Sequence, residues 1–530
     1  MARPGGRFST GGYGDPVRLA AIDMGSNSFH LLVVEARPGG TFALLTREKE
    51  MLRLGDVVAE HGLITPEAEE RAAACLERFA HLCISFGVHR VAAYATAALR
   101  DAVNGPDVVA RLRERTQIGV RVITGEEEAK LIYLAVQRSF DLGDRTCLAL
   151  DIGGGSVEIS LGSHASAWRT HSLPIGVARL RARHLSPDTP KPDELAALRD
   201  EVHRALRPYV GELAGRADLV VGTSGTFAAV AQLVLLRQGV VPPPSLHQQP
   251  VAIADVIALG AEVAGIGARE RRRLPGVEQE RADLLPSGLA LIEALADALR
   301  FSEYQVGTWA LREGMVLSTM ARVHPVLRPE RVDDNRRRVV SDLAGRFDWE
   351  EAHARHVAAN AVVLGAGLAG ILRISPPDLE VLEFGCLLHD VGHQIGLDAH
   401  HRHSAYIIEH AALPGFSARE QLLLAAMARY HRRSEMRPDK EYLASLGPAD
   451  QRLAVALTAV LRVADGLDRS GQQDVHVRAV SLHADEAVLV VACPRDPELE
   501  LWSAARKGAL LEQVLGRPLR FEPEPAATRT

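Results

Sequence analysis

Cysteine is scarce in this chain. Its 530 residues include five, Cys75, Cys83, Cys147, Cys386 and Cys493, and none sits in a C-x-x-C pair. That argues against a disulfide framework and a zinc ribbon, and it fits a reducing cytoplasm. Long apolar runs are absent as well. The longest, "AVVLGAGLAGIL" at 361–372, is too short to span a bilayer. The opening "MARPGGRFSTGGYGDP" has no apolar h-region, so residues 1–16 read as a flexible leader and not as a signal peptide. Nor is there a basic excess: 61 Lys and Arg face 67 Asp and Glu, for a net charge of -6 and a pI near 6.4. A general nucleic-acid binder is disfavoured; an anionic substrate in a local basic groove is not. We expect a cytoplasmic protein, without membrane or specific nucleic-acid partners, that forms a homodimer.

The chain is too long for a single core, and length alone suggests about three or four domains. An apolar fraction of 47% and a charged fraction of 24% are those of a soluble globular protein. From residue 17 to about 320, strand and helix patterns alternate: "RVAAYATAALRDA" (90–102), "VRVITGEEEAKLIYLAVQ" (120–137) and "ADLVVGTSGTFAAVAQLV" (217–234) each read as a strand running into a helix. The front part is therefore α/β. "VVPPPSL" (240–246) is a rigid break inside it, and "RVHPVLRPERVDD" (322–334) is the expected boundary to the next domain. From about 335 the apolar spacing is helical; after about 475, "VHVRAVSL" and "EAVLVVAC" predict a small α+β region.

Within the front part, "AAIDMGSNSFHLLVVE" (20–35) starts as a buried strand, reaches Asp23, turns through Gly25, Ser26, Asn27 and Ser28, and becomes apolar again. A hairpin turn would account for that alone. The stretch recurs, however. "CLALDIGGGSVEISLG" (147–162) lies over residues 19–34 without a gap, so that Asp23 falls on Asp151, Gly25 on Gly153 and Ser28 on Ser156, 128 positions later. Two such units predict two similar subdomains facing one cleft. The turns Gly25–Ser28 and Gly153-Gly154-Gly155-Ser156 offer backbone N–H groups that bind anions. Each carboxylate can hold a hydrated Mg²⁺ that bridges to phosphate oxygens. A third loop, Thr223-Ser224-Gly225 in "GTSGTF", opens a helix and is expected to face phosphate or nucleotide. It is not a nucleophile elbow, because Thr226 stands where G-x-S-x-G needs glycine.

"ITGEEEA" (123–129) puts three carboxylates at a helix start. Two readings stand: the acids complement the helix dipole, or one of them is a general base whose pKa neighbouring acids raise. "ATAALRDA" reads either as a plain helix capped by Thr96 or as one that aims Arg100 back at a phosphate. "GAGLAG" (365–370) follows a helical pattern, so we read close helix packing in it and not a dinucleotide site. In the helical part, His353, His389-Asp390 and Asp465 are candidates to enclose one divalent metal, with His403 and His431 able to add ligands or phosphate contacts. The alternative is that they are satisfied, partly buried polar residues.

Together these motifs resemble the exopolyphosphatase/guanosine pentaphosphate phosphatase (Ppx/GppA) family. The resemblance runs through "ERADLLPSGLALIEAL", "LREGMV", "HRHSAYIIEHAALPGFSAREQ", "RYHRRS" and "LRVADGLDRS" and covers nearly the whole chain. It implies an actin-like pair of ribonuclease-H-type subdomains, expected at 17–134 and 135–325, then an HD-type helical domain at 326–475 and a small C-terminal α+β cap at 476–530. It implies Mg²⁺-dependent release of terminal phosphate from polyphosphate or of the 5′ γ-phosphate from pppGpp. By matched position Glu128 is the general base, Asp151 and Glu158 are metal-associated acids, and Arg100 contacts phosphate; in the mechanism we expect from this, Asp23 assists the metal through water. The pattern departs at Val157, where the family commonly has Thr; the acids are kept. The rear His389-Asp390 pair, lost in some members, is also kept. A basic path for a long polyanion would run over Arg402, His431, Arg432 and Arg433. Two other readings compete. One is an actin-superfamily ATPase or kinase, against which the "ITGEEEA" acid and the rear half weigh. The other is an alarmone sensor without turnover, against which the intact acids weigh.

Overall fold

The computed structural model describes residues 17–37, 40–279, 281–323, 332–432, 435–439, 441–494 and 496–524. The expected leader at 1–16, most of the boundary at 322–334, and Arg433 lie outside the described residues. The chain divides into two compact units, one of Met1–Val240 with Leu246–Asn335, the other of Val241–Ser245 with Arg336–Thr530.

The first unit holds two sheets built to one plan. Strands β1 (Arg18–Met24), β2 (Ser28–Ala36) and β3 (Phe42–Met51) form an antiparallel meander, and β4 (Arg90–Ala95) and β5 (Val120–Val122) add in parallel, in the order β3-β2-β1-β4-β5. The second sheet repeats this with β6 (Cys147–Ile152), β7 (Val157–Gly162) and β8 (Ala167–Leu173). They are followed by β9 (Leu219–Thr223), β10 (Pro250–Ala252) and β11 (Glu303–Val306), in the order β10-β11-β9-β6-β7-β8. Strands β1 and β6 are central and covered on both faces, which explains their unbroken apolar runs. In each, the residue before the last is the acid, Asp23 or Asp151, and it alone among the interior positions is not fully buried. The registers match too: Asp23 lies opposite His30, and Asp151 opposite Glu158.

The second unit is helical around one apolar core. Its helices include Glu351–Gly367, Pro376–Leu388, His400–His410, Ala418–Tyr430 and Pro448–Gly466. Strands β12 (His476–Leu482), β13 (Ala487–Ala492) and β14 (Leu519–Pro523) form a separate small sheet. The "GAGLAG" stretch ends the helix Glu351–Gly367, and a Cβ at Gly365 would stand 2.6 Å from Leu382 and one at Gly367 2.8 Å from Val480. Close packing is what those glycines allow. Among the described residues no helix is long and apolar enough to cross a membrane.

Candidate active site

The two repeated turns and the "GTSGTF" loop meet at one cavity of about 430 Å³ in the first unit. Both turns close in the same way. Gly25 N–H donates to Ser28 O at 3.1 Å, and Gly153 N–H to Ser156 O at 2.9 Å. Their outer carbonyls are occupied: Gly55 N–H donates to Ser26 O, and Val177 and Ala178 N–H donate to Gly153 O and Gly154 O. Amide groups are then what the loops can offer an anion. The loops are also close to each other, since a Cβ at Gly155 would sit 2.9 Å from Ser26 Oγ. Ser28 and Ser156 play matching parts. The first hydroxyl is 2.7 Å from His30 Nε2, and the second hydrogen-bonds Glu158.

Four carboxylates line or adjoin this cavity. Burial pushes Asp23 up to about 7, with Asp151 and Glu313 adding to the rise and Arg312 opposing it. Burial, reinforced by Asp151, likewise pushes Glu158 up to about 7, against hydrogen bonds from Ser156 and Ser172. Asp151 is raised by burial and held down by Thr223, whose Oγ1 donates to Asp151 Oδ1 at 2.5 Å. Glu128 is raised well above the ordinary carboxylate range by burial and by Glu158, while Arg100 opposes the shift.

The three acids of "ITGEEEA" separate by role. Thr124 Oγ1 accepts from Glu127 N–H at 3.1 Å, Glu127 Oε2 accepts from Thr124 N–H at 3.0 Å, and Arg121 pairs with Glu127 at 2.7 Å, so Glu127 is a helix cap. Glu126 is exposed. Glu128 is buried and faces the cavity. The structure places Arg100 Nη1 on Ile123 O at 3.0 Å and on Glu128 Oε2 at 3.2 Å. Thr96 makes no side-chain cap to the helix Ala97–Asp101. Thr223, expected in the phosphate loop, is fully buried and holds Asp151 instead of lining the cavity. The cavity is lined from this loop by Ser224, Gly225 and Thr226. Ser224 has φ 87°, left-handed backbone that a non-glycine residue adopts only where its surroundings enforce it.

Three further cavity residues had no spacing signal: His30, Arg281 and Arg312. Arg281 and Arg312 belong to "ERADLLPSGLALIEAL" and "LREGMV", which carried the resemblance without a role for either. Arg281 packs over Gly225, where a Cβ would overlap it. Arg312 Nη1 is 3.4 Å from His30 Nδ1, and burial with Arg312 beside it pulls His30 down to about 3. Both guanidiniums bring positive charge to a cavity whose other charges are acids.

In the second unit, ligand atoms of His353, His389 and Asp390 lie within 4.8 Å of one another, as do those of Asp390, His400 and His431. Asp465 Oδ1 is 3.8 Å from His353 Nε2, and Lys507 pairs with its other oxygen. Two expectations are corrected here. The third histidine of the cluster is His400 and not His403, because His400 at the start of its helix faces Asp390. His431 is 2% exposed and turned to Asp390, so it cannot line a surface path for a polymer.

A duplicated sheet with a matching glycine-serine turn on each half, facing a group of acids, is the actin-like arrangement. Comparison with known proteins narrows the class. The profile of the Ppx/GppA phosphatase family matches residues 32–323, and that of Ppx/GppA phosphatase domain III matches residues 335–500. Exopolyphosphatase 1 of Mycobacterium tuberculosis is 36% identical over 303 residues, 57% of this chain and 88% of the relative. Its counterpart in Mycobacterium leprae is 34% identical, over 57% and 89%. An exopolyphosphatase structure from Cytophaga hutchinsonii matches with TM-score 0.54 at 30% identity, over 58% of this chain and 99% of that one. The Aquifex aeolicus Ppx-GppA enzyme matches with TM-score 0.50 at 27% identity, over 57% and 100%. The chain belongs to the Ppx/GppA phosphatase family, whose members are phosphoanhydride hydrolases.

Proposed function

We propose that this protein removes the terminal phosphate of inorganic polyphosphate by attack of a water that Glu128 activates. One observation carries the reading: a buried carboxylate with raised pKa, Glu128, faces two phosphate loops and is held by Arg100. Phosphoanhydride hydrolysis needs an in-line water, neutralised charge and positioning, and little covalent chemistry from the protein. The Gly25–Ser28, Gly153–Ser156 and Ser224–Gly225 loops bind the terminal phosphate. Arg100, Arg281 and Arg312 lie where they can offset its charge. Glu128 orients the water and takes its proton; the P–O bond to the next phosphate breaks, and the shortened chain leaves.

Asp151, Glu158 and Asp23 are a set of hard oxygen donors whose burial is costly as anions. That chemistry fits Mg²⁺. Asp151 and Glu158 would hold it, with Asp23 acting through water. When bound, the ion supplies neutralisation of charge on the leaving and terminal phosphoryl oxygens. Thr223 and Ser172 orient Asp151 and Glu158 by hydrogen bonds at 2.5 and 2.7 Å.

The same reading takes 17–134 and 135–325 as the two actin-like subdomains, 326–475 as an HD-type domain and 476–530 as its cap. In the HD-type domain His353, His389, Asp390 and Asp465 hold a divalent metal. It also takes the protein as a cytoplasmic homodimer. The test is phosphate release from long-chain polyphosphate, tripolyphosphate and pppGpp side by side. Fastest release from long-chain polyphosphate supports the assignment. Preference for pppGpp moves it to alarmone conversion, and release from none of the three overturns it.

A further inference from the structure

The two repeated turns of the front cleft match in position and differ in their protons. Ser28 and His30 stand two apart at the start of β2, and Ser156 stands two before Glu158 where β7 starts. Each pair therefore shares one face of its strand. His30 lies opposite Asp23 as Glu158 lies opposite Asp151, so one position of the repeat carries histidine where the other carries glutamate. All four residues of the first half and the second serine reach the cavity: Asp23, Ser28, His30 and Arg312 line it, and so does Ser156.

Donor and acceptor chemistry fixes which way each serine points its hydrogen. Arg312 Nη1 is 3.4 Å from His30 Nδ1. A guanidinium can only donate, so Nδ1 accepts and the ring proton of His30 sits on Nε2. Nε2–H then donates to Ser28 Oγ, 2.7 Å away. The serine oxygen is used as an acceptor, and its own hydrogen is left for another group. Among the described residues Ser28 Oγ has no further hydrogen-bond partner. On the other half the proton runs in the opposite direction. An ionised carboxylate can only accept, so Ser156 gives its hydrogen to Glu158. Ser172 Oγ donates to the same carboxylate at 2.7 Å. Ser156 thus turns lone pairs to the cavity, and Ser28 turns a hydrogen to it.

We propose that this proton order gives the duplicated cleft its direction: Ser28, set by the Arg312–His30 pair, donates to an anionic oxygen of the terminal phosphoryl group, and Ser156 serves the cation side. His30 is then a positioning residue. It holds the hydroxyl of Ser28 as a ready donor, and a donor fixed before the substrate arrives needs no reorganisation when charge builds on the phosphoryl oxygens. The histidine decides the polarity. A glutamate at its place, as in the second half, would take the serine hydrogen for itself. The inference deepens the reading of this cleft as a phosphoanhydride-cleaving site and rests on it for the identity of the anion.

The test uses the full chain and needs no turnover. Binding of labelled inorganic phosphate at saturating Mg²⁺ is measured by equilibrium dialysis, and the cation side by the rise in melting temperature that Mg²⁺ produces. Ser28→Ala should weaken phosphate binding about 10–100-fold, the worth of a hydrogen bond to a charged group, and keep the Mg²⁺ shift. Ser156→Ala should lose most of the Mg²⁺ shift. Equal phosphate binding by wild type and Ser28→Ala, no binding by either included, overturns the contact. His30→Leu should weaken phosphate binding as Ser28→Ala does, and the two losses should not add in the double variant. His30→Gln can accept from Arg312 and donate to Ser28, so it should restore most of the binding. Equal loss in His30→Gln and His30→Leu overturns the positioning role. The tautomer is read in wild type by long-range ¹H–¹⁵N correlation, with His30→Gln assigning the signal. A proton on Nδ1 overturns the proposal even if the other variants fail to fold. Phosphate release from polyphosphate is assayed separately. Wild type that binds phosphate through Ser28 and hydrolyses no polyphosphate defeats the functional reading and leaves this contact standing.

Discussion

Arg100 Nη1 stands 3.2 Å from Glu128 Oε2, and the pair ties the last turn of the helix Ala97–Asp101 to the first turn of the helix Gly125–Ser139, 28 positions later. Burial raises the Glu128 carboxyl, and the guanidinium restrains that rise. The guanidinium also fixes the direction of the carboxyl, as a proton acceptor for water requires. Glu128→Gln keeps size and hydrogen bonding but cannot accept a proton. We expect kcat to fall about 10²–10⁴-fold with substrate still bound. Near-normal turnover would move the base elsewhere.

Arg100→Ala tests the other half of the pair. Without the guanidinium, burial and Glu158 act on Glu128 unopposed, and its pKa rises further. The acidic limb of the pH profile of kcat/KM should move to higher pH. An unmoved limb, with only the maximum lowered, would mean that Arg100 contacts phosphate and does not tune the base.

Thr223 supplies a prediction about the metal. Its hydroxyl fixes Asp151, so Thr223→Val should weaken Mg²⁺ activation about 10–100-fold, the usual cost of losing an outer partner of a ligand. Asp151→Asn should lose Mg²⁺ dependence and activity together, since a hard dication prefers an anionic oxygen. Wild-type activity of Asp151→Asn at low Mg²⁺ would remove Asp151 from the metal site.

Stability should depend on pH in an unusual direction. Asp23 and Glu158 rise from ordinary values of 3.8 and 4.5 to about 7 in the folded protein. The folded state then holds protons that the unfolded state has released. The stability these groups give is fully present below their ordinary values and is lost as pH climbs to about 7. Chelator-treated protein should melt at a lower temperature at about pH 8 than at about pH 5.5, and added Mg²⁺ should raise the melting point more at the higher pH. Equal Mg²⁺ shifts at both would contradict a site built on these carboxylates.

The chemistry of the front cleft should not need the rear cluster. His389→Ala/Asp390→Ala is expected to keep phosphate release from polyphosphate. Complete loss in a protein that still melts cooperatively would put the catalytic centre in the second unit.

The sequence by itself determined the duplicated plan. Strand and turn preferences are local, and a 128-residue offset that preserves an acid, a glycine and a serine is legible without a structure. It also determined the candidate acids, because Asp23, Asp151 and Glu128 sit at the ends of recognisable strands or at helix starts. Tertiary structure decided the partners. Thr223 meets Asp151 across 72 positions, Arg312 meets His30 across 282, and Arg100 meets Glu128 only once β4 and β5 lie side by side. Tertiary structure also chose among equals. Residues 400, 401 and 403 are all histidine, and only the position at which the helix begins turns His400 to Asp390. Of three consecutive glutamates, the first helical turn points one at solvent, uses one as a cap and buries the third. A side chain's direction follows from helix phase and packing, which no spacing rule contains.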